Sequence, residues 1–285
     1  MSLRSRLSPY LQVAPLTAVF TAFFFIPIVL VVVVSFFDYQ TYQILIPAFT
    51  WQNYQDVFSS AVTYRTYLIT LRYCVLVWAL TLVLGFTIAY FLAFHVRTFI
   101  WQLVLFLVCT IPFWTSNVIR MIAWIPLLGR YGVVNTTLQQ LGLIEDPLEW
   151  LLYSDFSVII GYVHLYTLFM MVPIFNAMMR LDRALLEAAT DSGASGWQTL
   201  WHVVIPLCKP GIAIGSIFVI ALVMGDFVTV NVLGGGQIAS VGKAITTELS
   251  YLQFPPAAAN AMVLLGVVIF MVAALTRIVD IRKDL

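Results

Sequence analysis

From Val13 to Phe36 the chain runs without one charged side chain, and that stretch restricts the fold more than any other feature. A helix rises about 1.5 Å per residue, so about 20 apolar residues cross a hydrocarbon core of about 30 Å. Lipid offers backbone N–H and C=O groups no partner, so a crossing segment must satisfy them internally as a helix. Five more stretches qualify: about Tyr67 to Phe94, Ile100 to Ile125, Ser157 to Met179, Ile212 to Leu233 and Ala257 to Val279. Only 9% of the 285 residues are charged and mean hydropathy is +0.98, against about 25% charged in soluble domains. These numbers predict an all-α integral membrane protein of six transmembrane helices, one domain over residues 1–285, with no internal repeat. Arg4 and Arg6 before the first stretch imitate a secretory signal, but its length exceeds the ~7–15 residues of a signal's apolar region, so it is read as a retained span. Pro27, Pro112 and Pro173 fall within spans and are expected to kink them.

Six spans put both termini on one side. Cytoplasmic termini give that side Arg4, Arg6, Arg97, Arg180, Arg183, Lys209, Arg277, Arg282 and Lys283, against Arg65, Arg72, Arg120, Arg130 and Lys243 outside or at the outer boundary. Nine against five follows the positive-inside bias. The long outer loops, Asp38 to Thr66 and Pro126 to Phe156, carry Trp51, Tyr54, Trp150 and Tyr153 and suit short helices at the interface. A net charge of +1 excludes a strongly basic nucleic-acid binder. Cys74, Cys109 and Cys208 form no C-x-x-C pair, which argues against a metal site or a disulfide framework.

One cytoplasmic loop, 181–210, is polar yet patterned. Leu181, Leu185, Ala188, Ala189 and Ser192 share one face of a short helix. Gly193 and Gly196 are expected to break it. A second stripe, Trp197, Leu200, Trp201 and Val204, is spaced i, i+3, i+4, i+7, and Pro206 and Pro210 end that helix. The tryptophans and Leu200 are expected to pack against the spans. Patterning alone fits either a solvated linker or a compact knob that docks in a groove of another protein.

Spacing separates those two readings. Glu187-Ala188-Ala189, three residues, Gly193, nine residues and Val203-x-Ile205-Pro206 resemble the EAA motif of membrane subunits in binding-protein-dependent ABC importers, with Val203 and Ile205 in place of the family's Ile and Leu. The resemblance implies a type I ABC importer permease (MetI-like) fold in a bacterial inner membrane. It implies that Glu187, Ala188, Ala189, Gly193 and Pro206 belong to a coupling helix seated on a separate ATPase subunit. It further implies a second permease subunit, a paralogue in the branch discussed below, together with two ATPase subunits and an extracytoplasmic solute-binding protein. The chain would then bind no cofactor of its own, ATP and magnesium being held by the ATPase.

The residues agree that the chain lacks its own nucleotide site. GQIASVGKA, Gly236 to Ala244, has five residues between its glycines where a phosphate loop has four, and Ala244 replaces the hydroxyl that would hold magnesium. It reads as a flexible outer loop. His95, His164 and His202 lie apart with no H-E-x-x-H, and no G-x-S-x-G occurs. His164, within a span, is expected to be a helix-packing donor. A secondary transporter would call for repeat symmetry or an ion site at the membrane centre, and the sequence displays neither.

Charged groups within spans mark a solute path or a structural pair. Asp226 lies about fourteen residues into the fifth span, roughly 21 Å along it. It either pairs with Arg72 or Arg120 or lines a path for a cationic or hydrogen-bonding solute. Pro112-Phe113-Trp114-Thr115-Ser116, Ile119-Arg120, Ala123-Trp124, Gly132-Val133-Val134-Asn135 and Gly225-Asp226-Phe227-Val228 through Leu233-Gly234-Gly235 resemble the polyamine (spermidine/putrescine) branch of these permeases. That likeness implies a polyamine or related amine as cargo and makes Trp114, Arg120, Asp226 and Asn231 candidates for the path. Where the branch reads G-E-F-V-x-P-E-L-L-G-G, this chain reads GDFVTVNVLGG: Asp226 is shortened and Asn231 is neutral. The loss of negative charge leaves an amino-acid-derived solute as the alternative.

Overall fold

The computed structural model describes residues 3–40 and 43–278. Val279, Arg282 and Lys283 lie outside the described residues, as do the side chains of Arg4 and Arg6. The chain is helical nearly throughout. Helix α1 (Leu3–Phe20) passes through a π turn (Thr21–Phe25) into α2 (Ile26–Val34). Pro27 explains the π turn: its ring lacks an N–H and crowds the preceding turn, and widening that turn lets the Ile26 N–H bond to the Thr21 carbonyl instead. The expected kink at Pro27 is therefore a local change of helix type.

The loop from Asp38 departs from the expectation of interfacial helices alone. Strands β1 (Asp38–Gln40) and β2 (Gln43–Ile46) form an antiparallel hairpin before α3 (Gln52–Ser59). Helix α4 (Ala61–Tyr90) and a terminal π turn (Phe91–His95) make the second span.

The third span is not one helix, which corrects the expectation of a kinked Ile100–Ile125. Helix α5 (Phe99–Thr110) tightens to a 3₁₀ turn at Ile111–Trp114, and the chain then turns by 93° before α6 (Asn117–Leu128) and α7 (Val133–Gln140). Pro112 cannot continue the hydrogen-bond ladder. Thr115 closes the helix end, its Oγ1 donating to the Pro112 carbonyl at 2.8 Å, and Thr115 and Ser116 are extended.

Helix α8 (Asp155–Met179) is the fourth span and carries Pro173 inside it. Then come α9 (Arg183–Asp191), α10 (Gly196–Thr199), a π turn (Leu200–Val204) and α11 (Ile205–Leu207). A 67° bend at Cys208 leads into α12 (Lys209–Gly225). The fifth span also breaks where one helix is expected: α12 stops at Gly225 and α13 (Val228–Leu233) starts anew. Helices α14 (Val241–Ser250) and α15 (Phe254–Ile278) complete the chain. Among the described residues four helices are long and apolar enough to cross a membrane, or up to six spans if each bent pair counts as one.

Two compact units divide these elements, Met1–Thr63 with Ala244–Leu265, and Tyr64–Lys243 with Gly266–Leu285. In the first, Asn53 Nδ2 donates to the carbonyls of Ser35 (3.0 Å) and Phe37 (2.8 Å), and Ser35 shares a 2.7 Å hydrogen bond with Tyr54. The Asn53 bonds satisfy the carbonyls of Ser35 and Phe37, at and just past the C-cap of α2.

In the second unit α8 is the hub. Its Tyr162, Met170, Met171, Ile174 and Met178 are fully buried, with Tyr73 and Val77 of α4 and Val219 and Met224 of α12. Glycines let the neighbours approach: a Cβ on Gly85 or Gly215 would strike Met170, and one on Gly211 would lie 2.6 Å from the Pro173 carbonyl. Lipid supplies no hydrophobic drive between helices, so close backbone approach at small residues has to provide the attraction.

The loop after α6 is clasped by one side chain. Asn135 is fully buried; its Nδ2 donates to the carbonyls of Gly129 (3.1 Å) and Leu148 (3.2 Å), and its Oδ1 accepts from the Leu148 N–H at 2.8 Å. Asn135→Ala strands those groups and is expected to cost about 1–3 kcal/mol locally. Hydrogen exchange over residues 141–151 should accelerate at least about fivefold, tenfold being about 1.4 kcal/mol. Unchanged exchange at Leu148 would rule out the clasp.

Candidate functional site

The 183–207 segment is built by its caps. Asp182 accepts from the Ala184 N–H at 3.0 Å and starts α9. The helix ends in a Schellman closure: Gly193 N–H bonds to Thr190 O at 2.9 Å and Ala194 N–H to Ala189 O at 3.0 Å, with Gly193 at φ +83°. Gly193 thus breaks the helix as expected. Gly196 does not: it is the first residue of α10, capped by Ser195 and Gln198 in a reciprocal pair of bonds of 3.3 and 2.8 Å. Pro206 likewise sits at the start of α11 rather than ending a helix, because the π turn before it absorbs the lost donor, with Ile205 N–H bonding to Leu200 O.

Glu187 and Ala188 are exposed and Ala189 is half-buried. A groove of about 470 Å³ runs behind them, walled by Tyr90 and Phe94 at the end of the second span and by Leu186, Glu187 and Thr199. The tryptophans contradict their expected packing. Trp197 is 68% exposed and Trp201 52%, the two stacked edge to face at 5.7 Å, while Val204 alone of that stripe is buried. The π turn at Leu200–Val204 divides the stripe, since a wider turn rotates Val204 off the face that carries Trp197 and Trp201 at 3.6 residues per turn.

Asp226 falls at the break between α12 and α13, not in mid-helix. Its Oδ1 accepts from the Thr229 N–H at 2.8 Å and its Oδ2 from the Tyr166 hydroxyl at 2.7 Å. Neither expected arginine reaches it. Arg72 pairs with Asp155 at 3.0 Å, an oxygen of which also accepts from Tyr73 at 2.5 Å. Arg120 donates from Nη2 to Asn117, and its buried Nε has no acceptor. Gly242 lies against the break, where a Cβ would come within 2.7 Å of the Asp226 carbonyl.

The other path candidates divide. Arg120 lines a cavity of about 290 Å³ with Phe113, His164, Thr167 and Leu168. Trp114, 84% exposed, lines a groove of about 450 Å³ that shares Phe113 and Leu168 with that cavity. Asn231 is exposed on α13 and joins neither lining. His164, expected as a donor, instead accepts at Nδ1 from the Trp124 indole N–H at 3.1 Å.

One polar pair is not anticipated from the sequence. Glu248 of α14 accepts from Asn260 Nδ2 of α15 at 2.7 Å through Oε1, while Oε2 is buried with no hydrogen-bond partner. Burial pushes the Glu248 carboxyl above its usual range, with the Asn260 bond opposing that shift. A lone Asn in the apolar run PPAAANAMVLLGVV is the available signal, because an amide in such a helix needs a partner.

A family model described as binding-protein-dependent transport system inner membrane component matches residues 11–283. The spermidine/putrescine transport system permease protein PotB of Escherichia coli is 30% identical over 243 residues, which is 85% of this chain and 87% of that one. PotB of Haemophilus influenzae is 38% identical over 132 residues, 46% of each chain. A solved chain of a bacterial alginate ABC transporter, in complex with an alginate pentasaccharide-bound periplasmic protein, shares the fold with a TM-score of 0.74 at 17% identity, covering 99% of this chain and 98% of its own. A family match that runs from residue 11 to residue 283 means that this chain belongs to the binding-protein-dependent transport system inner membrane component family.

Proposed function

We propose that this permease carries a polyamine or a closely related amine across the inner membrane, powered by ATP hydrolysed on separate subunits. The similarity to PotB across 85% of the chain carries the reading. The full transporter would contain a second, paralogous permease, two ATPase subunits that hold ATP and magnesium, and a solute-binding protein on the outer side. Both termini face the cytoplasm in this reading, on the nine-to-five distribution of basic residues.

The exposed Glu187-Ala188-Ala189 face, the Gly193 closure and the Pro206 step form the surface that seats on the ATPase. The groove behind α9 supports this role, since its far wall, Tyr90 and Phe94, ends the second span. α9 thus faces the end of a membrane helix across this groove, and a push on α9 would reach that helix as the groove closes. Closure of the ATPases would draw two such loops together and switch the path between inward and outward access. Trp114 and Arg120, in adjoining cavities, belong to the path; Asp226 holds the break in the fifth span, and Asn231 presents a neutral group near it.

Proteoliposomes holding the whole complex test the proposal. Spermidine or putrescine uptake should require ATP on the cytoplasmic face together with the loaded solute-binding protein. Uptake driven by an ion gradient without ATP would overturn the mechanism, and ATP-driven uptake of an amino-acid derivative with no polyamine uptake would overturn the cargo.

A further inference from the structure

Asp226 is the carboxylate that the sequence offers to a cationic cargo, yet each of its oxygens already accepts a hydrogen bond within the chain. Glu248 differs. An ionised carboxylate has about four acceptor sites, and Glu248 fills one of them, through Asn260. Its second oxygen is buried and accepts no hydrogen bond from the described residues, and the ion pairs among them, Arg72 with Asp155 and Arg130 with Glu149, do not involve Glu248. A buried carboxylate oxygen without donors destabilises the state that contains it, and each such group in a native protein calls for an explanation.

A group that brings positive charge and several N–H donors at once completes Glu248 best, satisfying the oxygen and neutralising the carboxylate together. A primary ammonium does so, with three donors on a compact cation. A neutral sugar could bond the oxygen but would leave the charge uncompensated, and a carboxylated solute would meet repulsion.

We propose that Glu248, positioned by Asn260, is an ammonium-binding carboxylate for the protonated amine cargo. This rests on the polyamine reading above and adds to it the group that recognises charge. The second oxygen is buried in this conformation, so the site is closed here and opens as α14 and α15 part. Their connecting turn has a strained residue at that place: Leu252 adopts φ +61°, a conformation rare for a bulky side chain, while Gln253 N–H bonds back to the Glu248 carbonyl at 2.9 Å. Release of the turn would free Glu248 at backbone and side chain together.

Two substitutions separate charge from shape. Glu248→Gln keeps the length and the acceptor for Asn260 but removes the charge; Glu248→Asp keeps the charge and shortens the arm. In proteoliposomes containing the complete transporter and its loaded binding protein, Glu248→Gln should lower spermidine and putrescine uptake at least tenfold, and Glu248→Asp should retain uptake within about threefold. Assembly of the Glu248→Gln complex, read by size exclusion, should match wild type, because an unpartnered charge has been taken out. Uptake by Glu248→Gln within twofold of wild type overturns the proposal. Equal loss in both variants, or failure of the Gln variant to assemble, shows a structural role and overturns it as well. A wild-type complex that hydrolyses ATP yet carries neither amine refutes the cargo reading itself, and this site with it, which the variants alone would not show.

Discussion

Gly193→Val should cut ATP-driven uptake at least tenfold and release the ATPase from the purified complex, while membrane insertion is unchanged. Gly193 sits at φ +83°, and a Cβ built there would meet nothing within 4 Å. The penalty is thus purely of backbone: about 1–2 kcal/mol for an L-residue in the left-handed region, and more for a β-branched one. The Schellman closure holds only while that conformation persists, and the path of the chain from Ala194 into α10 depends on it. Strain there redirects the proposed docking surface and leaves the membrane helices untouched. Gly196→Ala is the control, since Gly196 has open space around it and no left-handed conformation; uptake should stay within twofold. Co-purification of the ATPase with the Gly193→Val chain at wild-type yield would remove the docking role.

Gly211→Ala should act in the opposite way, lowering stability before function is reached. Its Cβ would fall 2.6 Å from the Pro173 carbonyl, 2.7 Å from Ala177 Cβ and 3.1 Å from Ile174 Cα. Two of these three are backbone atoms of α8 that no rotamer change can move, so α12 and α8 must separate. Overpacking of this kind costs about 1–3 kcal/mol, and valine in place of alanine should exceed that. Thermal unfolding in detergent should show a lower midpoint for Gly211→Ala. Gly266→Ala, with no atom within 4 Å of the added carbon, should be neutral or raise the midpoint, because alanine favours a helix over glycine by up to about 1 kcal/mol. An unchanged midpoint for Gly211→Ala would mean that the two helices do not touch there as described.

Much of the fold is legible in the amino-acid sequence because its signals are local. Hydrophobic length locates the spans expected at Val13–Phe36, Tyr67–Phe94, Ser157–Met179 and Ala257–Val279, which appear as Gln12–Val34, Ala61–His95, Asp155–Met179 and Phe254–Arg277. The spacing from Glu187 to Pro206 likewise needs no tertiary contact to be read. The proline signals are half legible. Each marks a place where the ladder is disturbed, but a π turn, a 3₁₀ turn with a 93° bend and an uninterrupted helix are three outcomes of one residue type, and neighbouring donors choose among them.

By itself, then, the sequence determined a helical membrane protein with spans in known places, one loop patterned like a coupling helix, and membership of an importer family. Tertiary structure alone decided which polar groups are satisfied. Asp226 owes one of its partners to Tyr166, sixty residues away, and Asn260 reaches Glu248 only because the turn at Leu252 folds α15 back on α14. Hydropathy and helical period are properties of a single segment. Satisfaction of a buried carboxylate depends on whichever donors the packing of other helices brings within about 3 Å.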